Sequence, residues 1–299
     1  MIKVAVLYGG KSAEHEVSLL SAKNILAAID KGKYHVAKIF IPKSGKINFA
    51  ALTKFDVVFP VLHGPFGEDG TIQGFLKLAG IPFVGAGVLG SAIGMDKDVQ
   101  KRLLRDAGIP TARFTANRTN PFGYPVFVKP ANAGSSIGVT KVNNKKQLPA
   151  AISKAAKYDA KVLIEEAVAG RELECAVLGN EKPAASVIGE VISHHEFYDY
   201  DAKYLDESGA RLIIPARLSK NLAAKAQEIA LSAYKTLGCE GMARVDMFLT
   251  PAGKILINEI NTIPGFTNSS MFPRLWEASG LTQSKLIDKL IALALERRK

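Results

Sequence analysis

Four polar side chains in the segment 242–261 have the types and spacing of a phosphate and metal site. The segment contains two largely apolar runs around a turn with proline and glycine, which predicts a β-hairpin. Arg244 and Asp246 are two positions apart on the first strand, and Glu259 and Asn261 are two apart on the second, so each pair shares a face. Carboxylate and amide oxygens suit Mg²⁺, and an arginine beside them suits a phosphate or an oxyanion.

The pairing of the two strands decides whether these side chains meet. With Leu249 opposite Lys254, Arg244 opposes Glu259 and all four polar side chains lie on one face. A shift of one residue would move one strand's side chains to the other face. The ordinary alternative is a surface hairpin with solvated charges. The apolar surroundings and the turn that follows at residue 261 favour a site instead.

Further polar residues follow predicted strands elsewhere in the chain. Glu14 comes after the strand 3–8 and its Gly-Gly turn, and His63 comes after the strand 56–62. Helices are expected to begin at residue 68 and to span 91–108. The order of strands and helices here predicts a parallel sheet, and such sheets bind ligands at the carboxyl ends of their strands. Each residue also has an ordinary structural explanation: an acid at a helix N-terminus, and a histidine that ends a strand.

A lysine and a small-residue loop suggest phosphate binding in the middle of the chain. Lys129 lies in the apolar strand 125–130, and the loop 131–139 is rich in glycine and serine. Backbone amides in such a loop can surround a phosphate that the lysine neutralises. A simple hairpin loop is the commoner explanation for an isolated example. Residues 193–216 are polar and aromatic without a clear period, which favours a lid.

The composition limits the number of domains and the classes of protein to which the chain can belong. The chain has 299 residues, a net charge of +11 and a pI near 9.5, so it has room for two or three domains. The lysines are spread along the chain, which makes nucleic acid a minority interpretation. Cys175 and Cys239 are far apart; a reduced cytosolic setting is favoured over a disulfide. We expect no membrane span, and the N-terminus reads as a strand and not as a signal peptide.

Seven motifs occur in an order that resembles a known family. They are GGKSAEHEVS at 9–18, LHG with GEDG at 62–70, MDK at 95–97, VKP at 128–130, GSSIG at 134–138, YDYDAKY at 198–204 and EINTIPG at 259–265. Together they are similar to D-alanine–D-alanine ligases, ATP-grasp enzymes of bacterial cell-wall synthesis. The resemblance covers essentially the whole chain.

The resemblance implies a mixed α/β and α+β fold of three domains, in which the central and C-terminal domains enclose ATP. We expect an N-terminal parallel α/β domain at 1–94, a central domain at 95–178 and a C-terminal domain at 179–299 with the lid 193–216. The implied reaction joins two D-alanines through an acyl phosphate. The implied setting is a homodimer in the bacterial cytoplasm that binds neither nucleic acid nor membrane. The implied cofactors are ATP, two Mg²⁺ or Mn²⁺ ions and a monovalent cation.

The resemblance also implies a role for each matching position. The substrate and oxyanion residues are Glu14, His63, Ser135, Tyr204, Arg244, Gly265, Ser270 and Met271. The nucleotide residues are Lys97, Lys129, Ser135, Ser136, Glu165, Glu166, Val168, Glu172, Lys203 and Asn261. The metal ligands are Asp246, Glu259 and Asn261. Ala133 and Glu166 depart from the residues frequent in the family, which bears on nucleotide affinity.

Three other functions are compatible with parts of the sequence. A D-alanine–D-lactate ligase is the nearest, and Tyr204, where many such enzymes carry phenylalanine, favours the amine as nucleophile. Another ATP-grasp carboxylate–amine ligase is a broader alternative. A nucleotide sensor without catalysis would have no need to retain the arginine together with the metal ligands.

Overall fold

The structure, a computed structural model, describes residues 1–193 and 210–297. The predicted lid residues Lys203 and Tyr204 lie outside the described residues. Three sheets organise the rest of the chain, one parallel and two antiparallel. In the part of the chain that the structure describes, no helix is both long and apolar enough to cross a membrane.

The N-terminal sheet is parallel, as the order of its elements predicts. Its strands lie in the order β2-β1-β3, and helices follow them along the chain. The elements are β1 (Ile2–Gly9), α1 (His15–Ala28), β2 (Tyr34–Ile41), β3 (Val57–Val61), α2 (Thr71–Leu78), α3 (Val88–Met95) and α4 (Lys97–Asp106). Residues 4–7 of β1 are buried, as expected for the central strand of a sheet covered on both faces.

A small antiparallel sheet follows, with strand order β4-β7-β5-β6 and one helix packed on it. Its elements are β4 (Phe114–Thr115), β5 (Val126–Pro130), β6 (Thr140–Val142), α5 (Leu148–Ala155) and β7 (Val162–Glu166). The loop between β5 and β6 is the glycine- and serine-rich segment 131–139. The loop therefore leaves the end of β5 directly after Lys129 and Pro130.

The third sheet has five antiparallel strands in the order β10-β9-β8-β11-β12. The remaining elements are β8 (Arg171–Leu178), β9 (Ala184–Ser193), β10 (Ala210–Ile213), α6 (Lys220–Thr236), β11 (Met242–Leu249), β12 (Ile255–Asn261), α7 (Met271–Ala278) and α8 (Gln283–Glu296). Strand β8 pairs in this sheet, although it lies within the range 95–178 expected for the central domain. The domain boundaries themselves stay a prediction.

Three local expectations were wrong. The segment 91–108, expected as one helix, breaks at Asp96, whose extended backbone and carboxylate cap α4 by accepting from the N–H groups of Asp98 and Val99. Helix α2 begins at Thr71 and not at residue 68. Residues 210–213, placed in the lid, form a strand because they pair with residues 190–193 of β9.

Buried apolar clusters pack the N-terminal sheet against the C-terminal helices. One apolar cluster packs Val6 and Phe59 of the N-terminal sheet with Phe272 of α7 and Leu290 of α8. Another packs helix α6 on the five-stranded sheet, with Tyr234 fully buried between them. The two C-terminal helices thereby fix the N-terminal sheet next to the hairpin β11–β12.

Candidate active site

The hairpin β11–β12 carries the four predicted side chains on one face, but through a different pairing. Leu249 opposes Ile255 and not Lys254, a shift of one residue at the turn. A β-bulge then follows, so that Asp246 opposes Glu259 and Arg244 opposes Asn261. The turn shift and the bulge together move the pairing by two positions, and a shift of two keeps side chains on the same face.

Arg244 lies between two carboxylates. Its Nε and Nη2 donate to Asp246 Oδ1 and Oδ2, each at 2.7 Å, and its Nε lies 3.0 Å from Oε2 of Glu174. Glu174 is on β8 directly opposite Asp246, and it is buried. Sequence reasoning missed Glu174; its position two residues after Glu172 on a strand was the signal that could have identified it. The arginine is thus held from its own strand by Asp246 and from the neighbouring strand β8 by Glu174.

Lys97 connects the hairpin to the glycine- and serine-rich loop. Its Nζ lies 3.1 Å from Oε2 of Glu259 and donates to the carbonyl of Ala133 at 2.9 Å. Burial opposes the charged form of this lysine, but the carboxylates of Glu259, Glu68 and Glu14 together outweigh burial and raise the pKa of Lys97. Lys97 is therefore a cation at neutral pH, fixed at the start of α4 by the Asp96 cap.

Lys129 is the second buried cation beside the hairpin. Its Nζ donates to Oε1 of Glu165 at 2.9 Å, and Lys101 contacts the other oxygen of the same carboxylate. Glu166, the next residue, faces away and pairs with Arg113, whose Nε lies 2.6 Å from Oε2. Of the two glutamates expected at the nucleotide, the structure places the side chain of Glu165 in the cleft wall.

The loop 131–139 brings together the N-terminal and central parts. Ser135 and Ser136 both have left-handed backbones, with φ of 48° and 59°, and Ser135 Oγ donates to the carboxylate of Glu14. A Cβ at Gly134 would lie 2.7 Å from Oε2 of Glu14, so only glycine allows this approach. This hydrogen bond connects the loop 131–139 to the N-terminal part of the chain.

His63 is fully buried beside Glu14. Its Nδ1 lies 3.1 Å from the carbonyl oxygen of Ile263 and 3.3 Å from Oε1 of Glu68, and its Nε2 lies 3.2 Å from Ser21 Oγ. Burial favours the neutral ring, yet the hydrogen bond and charge of Glu68 prevail and raise the pKa of His63. Sequence reasoning did not assign a role to Glu68 or Ser21, which fix the orientation of the ring.

Two adjoining clefts result from this arrangement. The first contains the expected substrate side, namely Glu14, His63, Ser135, Arg244, Gly265, Ser270 and Met271, and also Asn261, which was expected at the nucleotide and the metal. The second contains most of the expected nucleotide side, namely Lys97, Lys129, Ser135, Ser136, Glu165 and Glu172, and also the expected metal ligand Asp246. Five residues form a common wall between them, namely Lys97, Gly134, Ser135, Glu174 and Glu259. Among the described residues that line the second cleft, Glu166 and Val168 do not occur.

Family comparison decides what kind of protein has these clefts. The family model described as D-ala D-ala ligase C-terminus matches residues 93–292, and the model described as D-ala D-ala ligase N-terminus matches residues 3–51 and 45–86. The chain belongs to the D-alanine–D-alanine ligase family. It is accordingly an ATP-dependent ligase with the ATP-grasp fold that the seven motifs predicted.

Individual members of the D-alanine–D-alanine ligase family agree with this over nearly their whole length. The D-alanine–D-alanine ligase of Oceanobacillus iheyensis is 49% identical, with 99% of this chain and 95% of that protein covered. The solved D-alanine–D-alanine ligase of Coxiella burnetii is 38% identical with a TM-score of 0.89, covering 99% and 94%. The VanG D-Ala:D-Ser ligase of Enterococcus faecalis is 38% identical with a TM-score of 0.88, covering 98% and 99%.

Proposed function

We propose that this chain joins two D-alanines into D-alanyl-D-alanine for peptidoglycan precursors, using ATP and releasing ADP and phosphate. The observation that supports this most directly is the common wall of the two clefts. Lys97, Ser135 and Glu259 face both sides, so a phosphoryl group transferred from one cleft to the other would pass them. Catalysis by positioning and by neutralising phosphoryl charge needs no covalent protein nucleophile.

The first step requires the carboxylate of one D-alanine to face the γ-phosphate. Buried Glu14, fixed by Ser135, is suited to hold the ammonium group of that D-alanine. A carboxylate oxygen then attacks the γ-phosphorus, the bond to the β-phosphate oxygen breaks, and ADP leaves. Lys97 and Lys129 neutralise the transferred charge, and the left-handed backbone at Ser135 and Ser136 presents the loop amides to the phosphates.

The second step forms the peptide bond. The neutral amine of the second D-alanine attacks the carbonyl carbon of the acyl phosphate, and the carbonyl oxygen becomes an oxyanion. Arg244 and the N–H of Gly265, both in the first cleft, are the groups we assign to that oxyanion. The tetrahedral intermediate expels phosphate, and the amine loses its proton. Ser270 and Met271, at the start of α7, are assigned to the carboxylate of the second substrate.

The hairpin also fits divalent metal ions. Asp246 and Glu259 oppose each other across the bulge, and Asn261 lies on the same face, which supplies the hard oxygen ligands that Mg²⁺ and Mn²⁺ prefer. In the described part of the chain, no three His, Cys, Asp or Glu side chains gather into a metal site, so the amide of Asn261 is needed as the third ligand. When bound, such ions would neutralise phosphate charge. The monovalent cation stays a prediction.

The remaining proposals concern the cellular compartment and the oligomeric state. Cys175 and Cys239 are free thiols buried in the core, and the pKa of each is raised by burial to about 12. Unpaired buried thiols fit a reducing compartment, which supports the bacterial cytoplasm. A homodimer is the proposed assembly, and light scattering at several protein concentrations would measure it.

Product analysis tests the function. The chain is incubated with ATP, Mg²⁺ and D-alanine, phosphate release is followed, and the product is identified by mass. Parallel reactions add D-lactate or D-serine, the latter because a D-Ala:D-Ser ligase is among the similar structures. We expect D-alanyl-D-alanine as the main product. No phosphate release with D-alanine, together with release for another amino acid, would reject the assignment.

A further inference from the structure

Lys101 is a fully buried lysine that the reaction described above does not use. It lies on α4 with no exposed surface, and its Nζ is 2.8 Å from Oε2 of Glu165 and 3.0 Å from Oγ1 of Thr111. The hydroxyl of Thr111 in turn donates to the carbonyl of Ile257 on β12 at 2.9 Å. A lysine is rarely placed out of contact with water unless its charge is paired, because the loss of hydration is costly.

The carboxylate of Glu165 is shared between two lysines. Its Oε1 accepts from Lys129 at 2.9 Å, while its Oε2 faces Lys101. Lys129 lines the second cleft, whereas Lys101 lies behind it. Burial would favour the protonated carboxyl, but the two lysines together lower the pKa of Glu165, and burial lowers the pKa of Lys101. Each oxygen of Glu165 has a lysine Nζ at 2.9 Å or 2.8 Å, and this contact opposes the effect of burial on Lys101, so we treat the group as one carboxylate between two ammonium groups.

This sharing determines how much positive charge reaches the cleft. With Lys101 present, two ammonium groups and one carboxylate leave an excess of one positive charge, and Lys129 is the member that faces the cleft. Without Lys101, Lys129 and Glu165 would form a neutral pair. A neutral pair attracts a nucleotide phosphate less than a free cation does, most of all in a buried site where charges are weakly screened.

We propose that Lys101 is a positioning residue of the nucleotide cleft: it neutralises Glu165 from behind and so leaves the charge of Lys129 to the phosphates. The proposal rests on the proposed function, since it requires a nucleotide in the second cleft. Lys101 itself touches no substrate. A purely structural role, as a buried link between α4, β7 and β12, is the competing explanation.

A double-mutant cycle separates these explanations. Lys101→Met removes the ammonium at similar length, and it is made both with Glu165 present and with Glu165→Gln. Arg105→Met is the control, because it removes an exposed positive charge one turn further along the same helix. For every chain, ADP binding is measured by calorimetry with Mg²⁺, together with the KM for D-alanine and the melting temperature.

The charge-sharing role predicts a dependence on Glu165. With Glu165 present, we expect Lys101→Met to weaken ADP binding about tenfold, the scale of a hydrogen bond to a charged group, and to leave the KM for D-alanine within about twofold. With Glu165→Gln, we expect the same change to weaken ADP binding less than about twofold, because no buried carboxylate then competes for Lys129. Arg105→Met should change neither quantity.

Three results would overturn the proposal. They are equal weakening in both backgrounds, no weakening with Glu165 present, and an equal rise in the KM for D-alanine. Removing one partner of a buried ion pair is strongly destabilising, so the single variant can fail to fold.

If the single variant fails to fold, the two chains that carry Glu165→Gln decide. Equal ADP binding with and without the additional Lys101→Met supports the proposal. Binding about tenfold weaker in the chain that carries both substitutions rejects it, because no carboxylate is then left for Lys101 to neutralise. A wild-type chain that binds ADP but forms no dipeptide would reject the proposed function and leave this test intact.

Discussion

Gly134 lies so close to Glu14 that adding one methyl group, in Gly134→Ala, should weaken binding of the first D-alanine. A Cβ at position 134 would lie 2.7 Å from Oε2 of Glu14 and 3.2 Å from its Oε1. An ordinary contact needs about 3.5 Å, so Gly134→Ala forces the carboxylate to move by roughly 0.8 Å. The backbone at Gly134 is not left-handed, so alanine brings no strain of its own.

The size of the effect follows from what holds Glu14. Its carboxylate accepts from Ser135 Oγ, and a hydrogen bond to a charged group contributes about 1.5–3 kcal/mol. Displacing the carboxylate loses that bond and moves the group that would hold the substrate ammonium. Since about 1.4 kcal/mol corresponds to a factor of ten, we expect the KM for the first D-alanine to rise about 10- to 100-fold.

Initial rates over a range of D-alanine, and separately of ATP, provide the measurement. Gly74→Ala is the matched control, because a Cβ there meets nothing within 4 Å in the middle of α2. The control should keep both KM values. An unchanged KM for the first D-alanine in Gly134→Ala would refute the reasoning. An equal loss of ATP affinity would show that the alanine had displaced the loop instead of Glu14.

Three further predictions concern the carboxylates Glu259, Glu174 and Glu190. Glu259→Gln should lower turnover far more than the melting temperature, because the lost charge is assigned to metal binding; equal losses in a coupled assay and a thermal melt would contradict that role. Glu174→Gln should lower kcat more than ADP affinity, because one of the two carboxylates that hold Arg244 loses its charge; steady-state kinetics beside calorimetry compare the two. Hydrogen bonds from Arg171 lower the pKa of Glu190 below 4.5, so its stabilisation is present above about pH 4.5 and lost as the pH falls through the lower folded-state pKa. Melting curves between about pH 3 and 7 should therefore fall less steeply on the acid side for Glu190→Gln than for wild type, and identical curves would exclude this linkage.

Local patterns predicted the elements of this fold better than their ends. Runs of apolar residues identified β1, β3 and the hairpin, because a buried strand must be apolar whatever it pairs with. The break at Asp96 was missed because residues on both sides are compatible with a helix. The signal was Asp96 itself, since an aspartate two and three residues before free backbone N–H groups can cap them. Strand 210–213 was missed because its partner lies across the segment that had been assigned to the lid.

Whether a site residue could be predicted depended on whether it lies inside a continuous motif. Those inside continuous motifs were found, and the structure gathers Glu14, Ser135, Lys97 and Glu259 around one wall. Partners set by long-range packing were not found. The spacing from Glu172 places Glu174 on the same face of β8, but it reaches Arg244 only because β8 pairs with β11, and that pairing is not contained in the spacing.

The hairpin shows why a correct site can come from an incorrect pairing. Strand periodicity fixes which residues share a face, but the pairing depends on the turn, which starts one residue away from the expected register. That shift alone would have separated Arg244 and Asp246 from the ligands on β12. The bulge at the Asp246–Met247 step inserts one residue of β12 and returns Glu259 and Asn261 to the same face. The bulge therefore compensates for the turn. Deleting Asn258, the residue that β11 leaves unpaired, would give a regular ladder in which Asp246 still opposes Glu259 and Arg244 still opposes Asn261. We expect the deletion variant to keep phosphate release with D-alanine, and loss of that release at an unchanged melting temperature would show that the bulge itself is needed.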